Sequence, residues 1–445
     1  MGPVCIDAEP ACPQDSGEPD SWGRAAPCAP GGGVLLLKLR SLRAVVAVIG
    51  HESVTQAAHS LHLSPSAVAR AISDIESELG FPLFQRSVRG LVPNPAGSLL
   101  GMRATRALAE LADGHREAFA HAVRSDGAER NVERGAGRFA EVVTLPQLSS
   151  FVAVSELGSG ALAAQRLQCS QPTIQRNLDQ LENLSGMKLF RRTPQGTRLT
   201  DDGLALLGPV KRALWELAIA DDELGRFGGR RHGSVVVAAL PLSSSFLLPQ
   251  AIDRLVCKHT DLMVTIVDGT YDALIRQLRH ADVDMIVGAL RVHDVPPDIR
   301  QEALFDDTLR VVTRPGHPCF NQCATTLADL MTYDWLTPLP GTPARTTFER
   351  IFVAEGLDPP KTRLQVNSSA VVRGLLSGSD RLALLSPVQI FEELQSGELA
   401  VVPVPLRDAT RAIGIATRSD GVLSPGALQL VEELRAVSAA MRGGA

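Results

Sequence analysis

Hydrophobic positions in the first half of the chain fall into short runs of helical spacing, and the same arrangement occurs twice. Leu42, Val45, Val46 and Ile49 recur three and four residues apart, which predicts a helix with one buried face. Ser53 is placed to open a second helix, with Gln56 three residues on as the partner in a capping box. Ser64 is placed to open a third, with Pro65 at the first position, where a missing N–H costs nothing. Val68, Ile72 and Ile75 give this third helix its apolar stripe, and Gly80 and Gly90 bracket a short hairpin. The segment from Leu42 to Gly97 then returns without a gap as Leu148 to Gly203, an offset of 106 with 17 of 56 positions identical. The identities include Ala57-Ala58 with Ala163-Ala164, Ser64 with Ser170, Arg70 with Arg176, Glu76 with Glu182 and Arg86 with Arg192. Each copy therefore reads as an all-α winged helix-turn-helix module.

After the second copy, Leu207, Val210, Leu214, Leu217 and Leu224 lie close to heptad spacing, predicting a long helix able to pair with its twin in a second chain. A weaker counterpart runs from Gly97 to His121, for which pairing and ordinary packing within the chain are both open. From Gly233 the pattern changes to short Val/Ile/Leu runs alternating with helical segments. Ser234–Leu240, Met263–Asp268 and Asp284–Leu290 read as strands, with helices at Ser244–His259 and Tyr271–His280. This order predicts a parallel sheet with right-handed crossovers. Further strands are expected at Leu309–Arg314, Trp335–Pro338, Arg363–Asn367, Arg381–Ser386, Leu399–Pro405 and Ala412–Arg418, with a closing helix after Pro425. Two α/β lobes with a crossing chain leave a cleft suited to a small ligand.

Composition changes this picture little. With 445 residues, 44% hydrophobic and 21% charged, the chain has room for about three domains. Aromatics are scarce at 4%, so Leu, Val and Ala carry the packing. The formal net charge of −5 does not advertise nucleic acid, but DNA contact needs only a local basic face. Seven scattered cysteines show no disulfide framework, which favours a reducing cytoplasm. No apolar run reaches the roughly 18 residues of a spanning helix. The expected partition is a tail at 1–36, a first module at 37–97, helix and linker at 98–140, a second module at 141–203 and a linker helix at 204–231. The rest, 232–445, is divided into lobe I (232–293 and 406–445) and lobe II (294–405).

Ser170-Gln171-Pro172-Thr173-Ile174-Gln175-Arg176, Leu181-Glu182, Leu189-Phe190-Arg191-Arg192-Thr193 and Leu199-Thr200-x-x-Gly203 resemble the LysR-family winged helix-turn-helix. The first copy shares the frame but has Ser64-Pro65-Ser66 and Pro93-Asn94-Pro95 where the second has Ser170-Gln171-Pro172 and Leu199-Thr200-Asp201. One such module is the family norm, so a tandem is a departure. The resemblance implies a two-lobe, periplasmic-binding-protein-like α/β effector domain after the modules, and a linker helix that dimerises.

Candidate DNA-binding residues in the second copy are Ser170, Gln171, Pro172, Thr173, Gln175 and Arg176, with Arg192 and Arg198 in the wing. The first copy offers Ser64, Ser66, Arg70, Arg86 and Arg89. Arg86 and Arg192 could equally pin the wing through buried ion pairs. In the sensor half, Ser243, Ser244 and Ser245, then Gly341, Thr342 and Arg345, then Ser368 and Ser369 precede helices and could hold a carboxylate, although plain helix capping explains each serine as well. The stretch from Trp335 to Arg345 also resembles the subgroup whose ligands include aromatic and sugar-derived acids. The expected partners are double-stranded DNA, a small anionic metabolite and further copies in a homodimer or homotetramer, with RNA polymerase as a further candidate. No membrane, metal or cofactor is implied. No phosphate loop or nucleophile elbow is present, and His317-x-Cys319 with Cys323 is too sparse for a metal site. The rival reading is a ligand-binding adaptor whose first module serves assembly alone.

Overall fold

The computed structural model describes residues 39–443 apart from 88–89, 127–137, 229–232, 241–242, 244, 292–293, 322–325, 367, 420 and 422. The expected tail lies outside the described residues, as do residues 127–137 of the linker between the modules. In the first module, α1 (Leu39–His51), α2 (Val54–Ser60) and α3 (Pro65–Leu79) precede a hairpin of β1 (Phe84–Ser87) and β2 (Gly90–Pro93). Ser53 and Ser64 cap α2 and α3 by accepting from the backbone N–H groups of Gln56 and Ala67. Gly80 ends α3 at φ +79°, the left-handed geometry that glycine adopts without strain. The second module repeats this with α5 (Leu145–Leu157), α6 (Gly160–Arg166), α7 (Gln171–Ser185), β3 (Phe190–Thr193) and β4 (Gly196–Leu199).

Each module runs on into a long helix: α4 (Pro95–Asp126) after the first and α8 (Asp201–Phe227) after the second. The apolar stripe of α8, expected to be able to pair with its twin in a second chain, is packed against α4 of the same chain. Leu100, Ala104, Ala107 and Leu111 meet Leu206, Val210, Ala213 and Leu214 in one apolar core that extends into both modules. Across this seam Arg103, with 0% of its surface exposed, donates to Glu216 (2.8 Å) and to both carboxylate oxygens of Glu223 (2.9 and 2.7 Å). Burial opposes its charge, but the two carboxylates together raise its pKa above the ordinary arginine value.

The sensor half holds two sheets. The first has the order β6 (Leu262–Asp268), β5 (Gly233–Ala239), β7 (Met285–Ala289), β13 (Thr410–Arg418), β8 (Ile299–Thr308), with α9 (Leu247–Lys258), α10 (Tyr271–Arg279) and α14 (Pro425–Gly443) packed on it. β5 pairs in parallel with β6 and β7, whereas β13 runs antiparallel to β7 and β8, so the sheet is mixed and not wholly parallel. Because β8 joins this sheet, lobe I continues to Thr308, past the 293 expected for the end of its first segment. The second sheet has the order β10 (Asp334–Trp335), β11 (Arg381–Leu385), β9 (Arg310–Thr313), β12 (Ala400–Val402), and its lobe also holds α11 (Pro343–Ala354), α12 (Ser369–Ser377) and α13 (Phe391–Ser396). The strand expected at Arg363–Asn367 is reduced to a single bridge between Thr337 and Gln365.

Lobe I is clasped to α8. Trp215 donates from Nε1 to Asp284 (3.2 Å), whose other oxygen accepts from the Val236 backbone, and the Arg418 guanidinium lies 4.2 Å from the Trp215 ring centroid. Lys211 bridges Glu156 of α5 and Asp282 of lobe I at 2.8 Å each. Beside it His280 is pushed down to about 4 by burial and by Lys211, Arg212, Arg279 and Arg276.

Two outcomes follow from these contacts. Arg103→Ala leaves Glu223 without its guanidinium partner and Glu216 with Arg106 alone, and is expected to cost about 3 kcal/mol in urea unfolding; a loss under about 1 kcal/mol would mean that apolar packing alone holds the helices. Folded His280 titrates near 4 and not 6.5, so unfolding takes up a proton between these values and stability falls as pH drops through that window. The loss should reach about 2 kcal/mol by pH 4, after allowance for the part of the ring open to solvent. It should flatten in His280→Gln, as read from melting temperature against pH.

Candidate DNA-reading head and ligand cleft

The third helix of each module is tied to its wing by one carboxylate. Glu182 Oε1 accepts from the backbone N–H groups of Leu189 (2.9 Å) and Phe190 (3.2 Å), and Glu76 Oε1 does the same for Leu83 (2.7 Å) and Phe84 (3.3 Å). The glycine at the start of each long helix has an equally specific cause. A methyl carbon on Gly97 would lie 2.1 Å from the Leu83 carbonyl oxygen, and one on Gly203 would lie 2.3 Å from that of Leu189. Asn94 stands in the first copy where the second has Thr200, and it caps the long helix in the same way. Asn94 Oδ1 accepts from the Gly97 backbone N–H as Thr200 Oγ1 accepts from that of Gly203. The departure at Pro93-Asn94-Pro95 thus preserves the fold of the joint.

With the helix and wing fixed, the outer face of α7 presents Gln171, Pro172, Gln175 and Arg176 to solvent, with Ser170 at its cap and Thr173 partly covered. Ser170 Oγ and Thr173 Oγ1 share a hydrogen bond of 2.8 Å, and Gln175 donates to Asp179 at 2.8 Å. Arg192 and Arg198 are exposed on the wing, with Arg191 and Lys188 nearby in the chain. In the first module Ser64, Ser66, Arg70 and Arg86 are exposed, and Ser64 and Ser66 hydroxyls lie 3.0 Å apart. The alternative that Arg86 and Arg192 are buried pins is not what the fold does, since both side chains face solvent. Arg89 lies outside the described residues.

In the sensor half a cavity of about 140 Å³ opens between the lobes. Its polar lining includes Thr270, Thr337, Thr342, Ser369, Gln389 and Arg411, and Ser369 and Gln389 also line an adjoining hollow with Ser245 and Ser368. Several expected ligand groups are elsewhere. Ser243 is wholly buried and donates to the carbonyls of Leu240 (2.9 Å) and Val287 (2.7 Å), so its hydroxyl is a strut inside the sheet. Ser244 lies outside the described residues. Gly341 is an exposed turn at φ +76°, away from the lining. Arg345 folds back along its own helix α11 (Pro343–Ala354), where Nε donates to Glu349 at 2.6 Å. The lining cation is instead Arg411 of β13, which sequence reasoning missed. Its Nε donates to Asp307 (3.2 Å), and Asp307 also accepts from Ser386 (2.6 Å). Burial lowers the Arg411 pKa, and Asp307 offsets part of that. Only its place in a run of alternating residues before Ile413 marked it, and that signal says strand, not site.

His317 is buried, with Nδ1 accepting from the Cys319 backbone N–H at 3.1 Å, while Cys323 is outside the described residues. Among the described residues no cluster of three metal-ligating side chains forms, and no helix is long and apolar enough to cross a membrane.

The comparisons with known proteins follow this division. A family model described as "Bacterial regulatory helix-turn-helix protein, lysR family" matches residues 39–98 and again 145–204. A second, "LysR substrate binding domain", matches 228–439. The HTH-type transcriptional regulator GalR of Pseudomonas putida is 35% identical over 404 residues, covering 91% of this chain and 98% of that protein. PcaQ of Agrobacterium fabrum is 29% identical over 273 residues, 61% of this chain and 88% of its own length. A solved full-length OxyR variant from Pseudomonas aeruginosa shares the fold at a TM-score of 0.51 and 22% identity, over 66% of this chain and 98% of that one.

The carboxylate tie is directly testable. Glu182→Ala strands two backbone donors and is expected to cost about 2 kcal/mol, with Glu182→Gln recovering most of it. Equal losses for the two variants in thermal unfolding would show that the negative charge, and not the acceptor oxygen, fastens the wing.

Proposed function

The chain belongs to the LysR family of DNA-binding transcription regulators that respond to small effectors, and from that premise we propose how its own residues divide the work. The observation that carries the reading is a pair of complete winged modules, each with an exposed recognition face and cations flanking it. Gln171, Thr173 and Gln175 offer hydrogen-bonding groups to base edges, while Arg176, Arg192 and Arg198 meet phosphates or an adjacent minor groove. In the first module Ser64, Ser66, Arg70 and Arg86 take the corresponding positions.

The ligand of the lobe cleft is a small anion. Among the described residues only Asp307 engages the Arg411 guanidinium, through Nε, which leaves the Nη groups for a bidentate carboxylate. Thr270, Ser369 and Gln389 supply neutral donors around it. This assigns the carboxylate to Arg411 where Arg345 was expected. An aromatic or sugar-derived acid would also use the apolar wall of Leu336, Phe348 and Val366. Ligand closure of the lobes acts on DNA because lobe I is clasped to α8 by Trp215, Lys211 and Arg418. Such coupling requires the ligand to prefer one arrangement of head and lobes over the other.

The test is a titration of the full-length chain with genomic DNA fragments at several salt concentrations, with and without a panel of aromatic and sugar-derived acids. Arg176→Ala should weaken binding to all sequences and reduce the salt slope by about one. Arg411→Met should keep DNA affinity but lose the response to acids, by about tenfold or more in the acid concentration required. Retained response in Arg411→Met would move the ligand elsewhere, and a chain with no salt-dependent binding would be an adaptor, not a DNA reader.

A further inference from the structure

The two modules and their long helices are related to each other as the halves of a dimer are. The sequence offset of 106 carries Arg106 onto Arg212 and Glu110 onto Glu216. In the structure Arg106 pairs with Glu216 (3.0 Å) and Arg212 pairs with Glu110 (2.9 Å). Residue i of one half meets j of the other while j meets i, the signature of a two-fold interface, here within one polypeptide. The ends of the helices cross over in the same sense. Phe119 of α4 packs beneath the turn at Gly186 that ends α7, and His115 Nε2 lies 3.0 Å from the Ser185 carbonyl oxygen. Phe227 of α8 meets Phe81 after α3, with ring centroids 6.2 Å apart. Each helix therefore holds the recognition helix of the other module.

The seam also departs from symmetry in a way that favours this heterotypic pair. Pro209 of α8 rests on Gly114 of α4, where a Cβ would lie 2.1 Å from the proline ring. The counterpart of Gly114 in α8 is Ala220, and the counterpart of Pro209 in α4 is Arg103. Two α8 helices from different chains would press Pro209 onto an alanine methyl and leave Glu216 and Glu223 without Arg103. Repulsion of this kind specifies a partner as surely as attraction does.

The two recognition faces so paired are not equivalent. Arg70 matches Arg176 and Arg86 matches Arg192, so two of the three phosphate-facing cations are kept, while Arg198 is matched by Val92. At the base-facing positions Gln171, Thr173 and Gln175 become Pro65, Ala67 and Ala69, which carry no side-chain donor or acceptor. We infer that one chain is a complete two-module reading head for a single asymmetric operator. The half under α7 is specified by hydrogen bonds to base edges. The half under α3 is gripped through phosphates, with no base readout beyond the Ser66 hydroxyl and methyl contacts at Ala67 and Ala69. The inference rests on the DNA-binding reading above. It adds that the operator is not a palindrome and that the two-fold relation needs no second chain.

The experiment is selection of duplexes from a random pool by the full-length chain, followed by footprinting of the winners. The expected consensus has one strongly specified half beside a weakly specified one, with backbone protection over both. Arg70→Ala with Arg86→Ala should shorten the protection to one half, lower the salt slope by about two and leave the consensus unchanged. Pro65→Gln, Ser66→Pro, Ala67→Thr and Ala69→Gln together rebuild the second module's face on the first and should turn the consensus into an inverted repeat. A wild-type consensus already palindromic, or protection indifferent to Arg70 and Arg86, overturns the inference while the regulator reading stands. Absence of any selected sequence overturns both.

Discussion

The antiparallel seam between α4 and α8 is the constraint on which the rest of the molecule depends. Apolar side chains supply its adhesion, but an apolar stripe alone tolerates sliding by a turn. Arg103 removes that freedom. A guanidinium with no exposed surface is tolerable only where Glu216 and Glu223 stand, and a shift of one helical turn would strand all three charges. The net stabilisation from such a buried triad is small, because desolvation offsets most of the attraction; what it contributes is register. Register here fixes the separation and relative tilt of the two recognition helices, since each helix end braces the opposite module.

The repeat made much of the head legible without coordinates. Serine caps, the Pro65 position, the glycine pairs and the alanine pairs all act within a few residues, where local chemistry decides the backbone. Family membership and the two-lobe α/β sensor were legible for the same reason: the motifs lie in short uninterrupted stretches. The pairing of α4 with α8 was not. A heptad-like stripe states that a helix has an apolar face to bury and says nothing about which chain provides the cover. Only the match of Arg106 and Glu216 to Arg212 and Glu110 identifies the partner, and that match needs the seam to be seen.

In the sensor half the misses have a common physical cause. β8 reads IRQEALFDDT, rich in Asp, Glu and Gln and poor in β-branched residues, so propensity argues against a strand. It forms because β13 offers a free edge over nine paired positions. The same long-range pairing carries Arg411 into the cleft, a hundred residues in sequence from Asp307. Local reasoning preferred Arg345, at the start of a helix in a Pro/Gly-rich loop. That side chain instead finds a carboxylate four residues on, at Glu349. Ser243 fails for the complementary reason: a hydroxyl at a strand end is as useful for satisfying buried carbonyls as for a ligand, and the interior claimed it.

Among the described residues, the clasp of Lys211, Trp215 and Arg418 joins the sensor to one half of the pseudo-symmetric head. At the positions where α8 has Lys211 and Trp215, the offset places Thr105 and Ala109 on α4, which cannot form the same clasp. On the proposed reading, a ligand-driven displacement of lobe I would enter the head through this clasp on α8. It reaches the second module directly, because Lys211 also holds Glu156, and the first module across the seam, because Phe227 braces Phe81. With the register locked by Arg103, α8 cannot slide independently of α4, so a displacement must turn one module relative to the other. On the proposed reading, the geometry that makes one chain act as a pair is the same geometry by which one ligand site would address two DNA contacts.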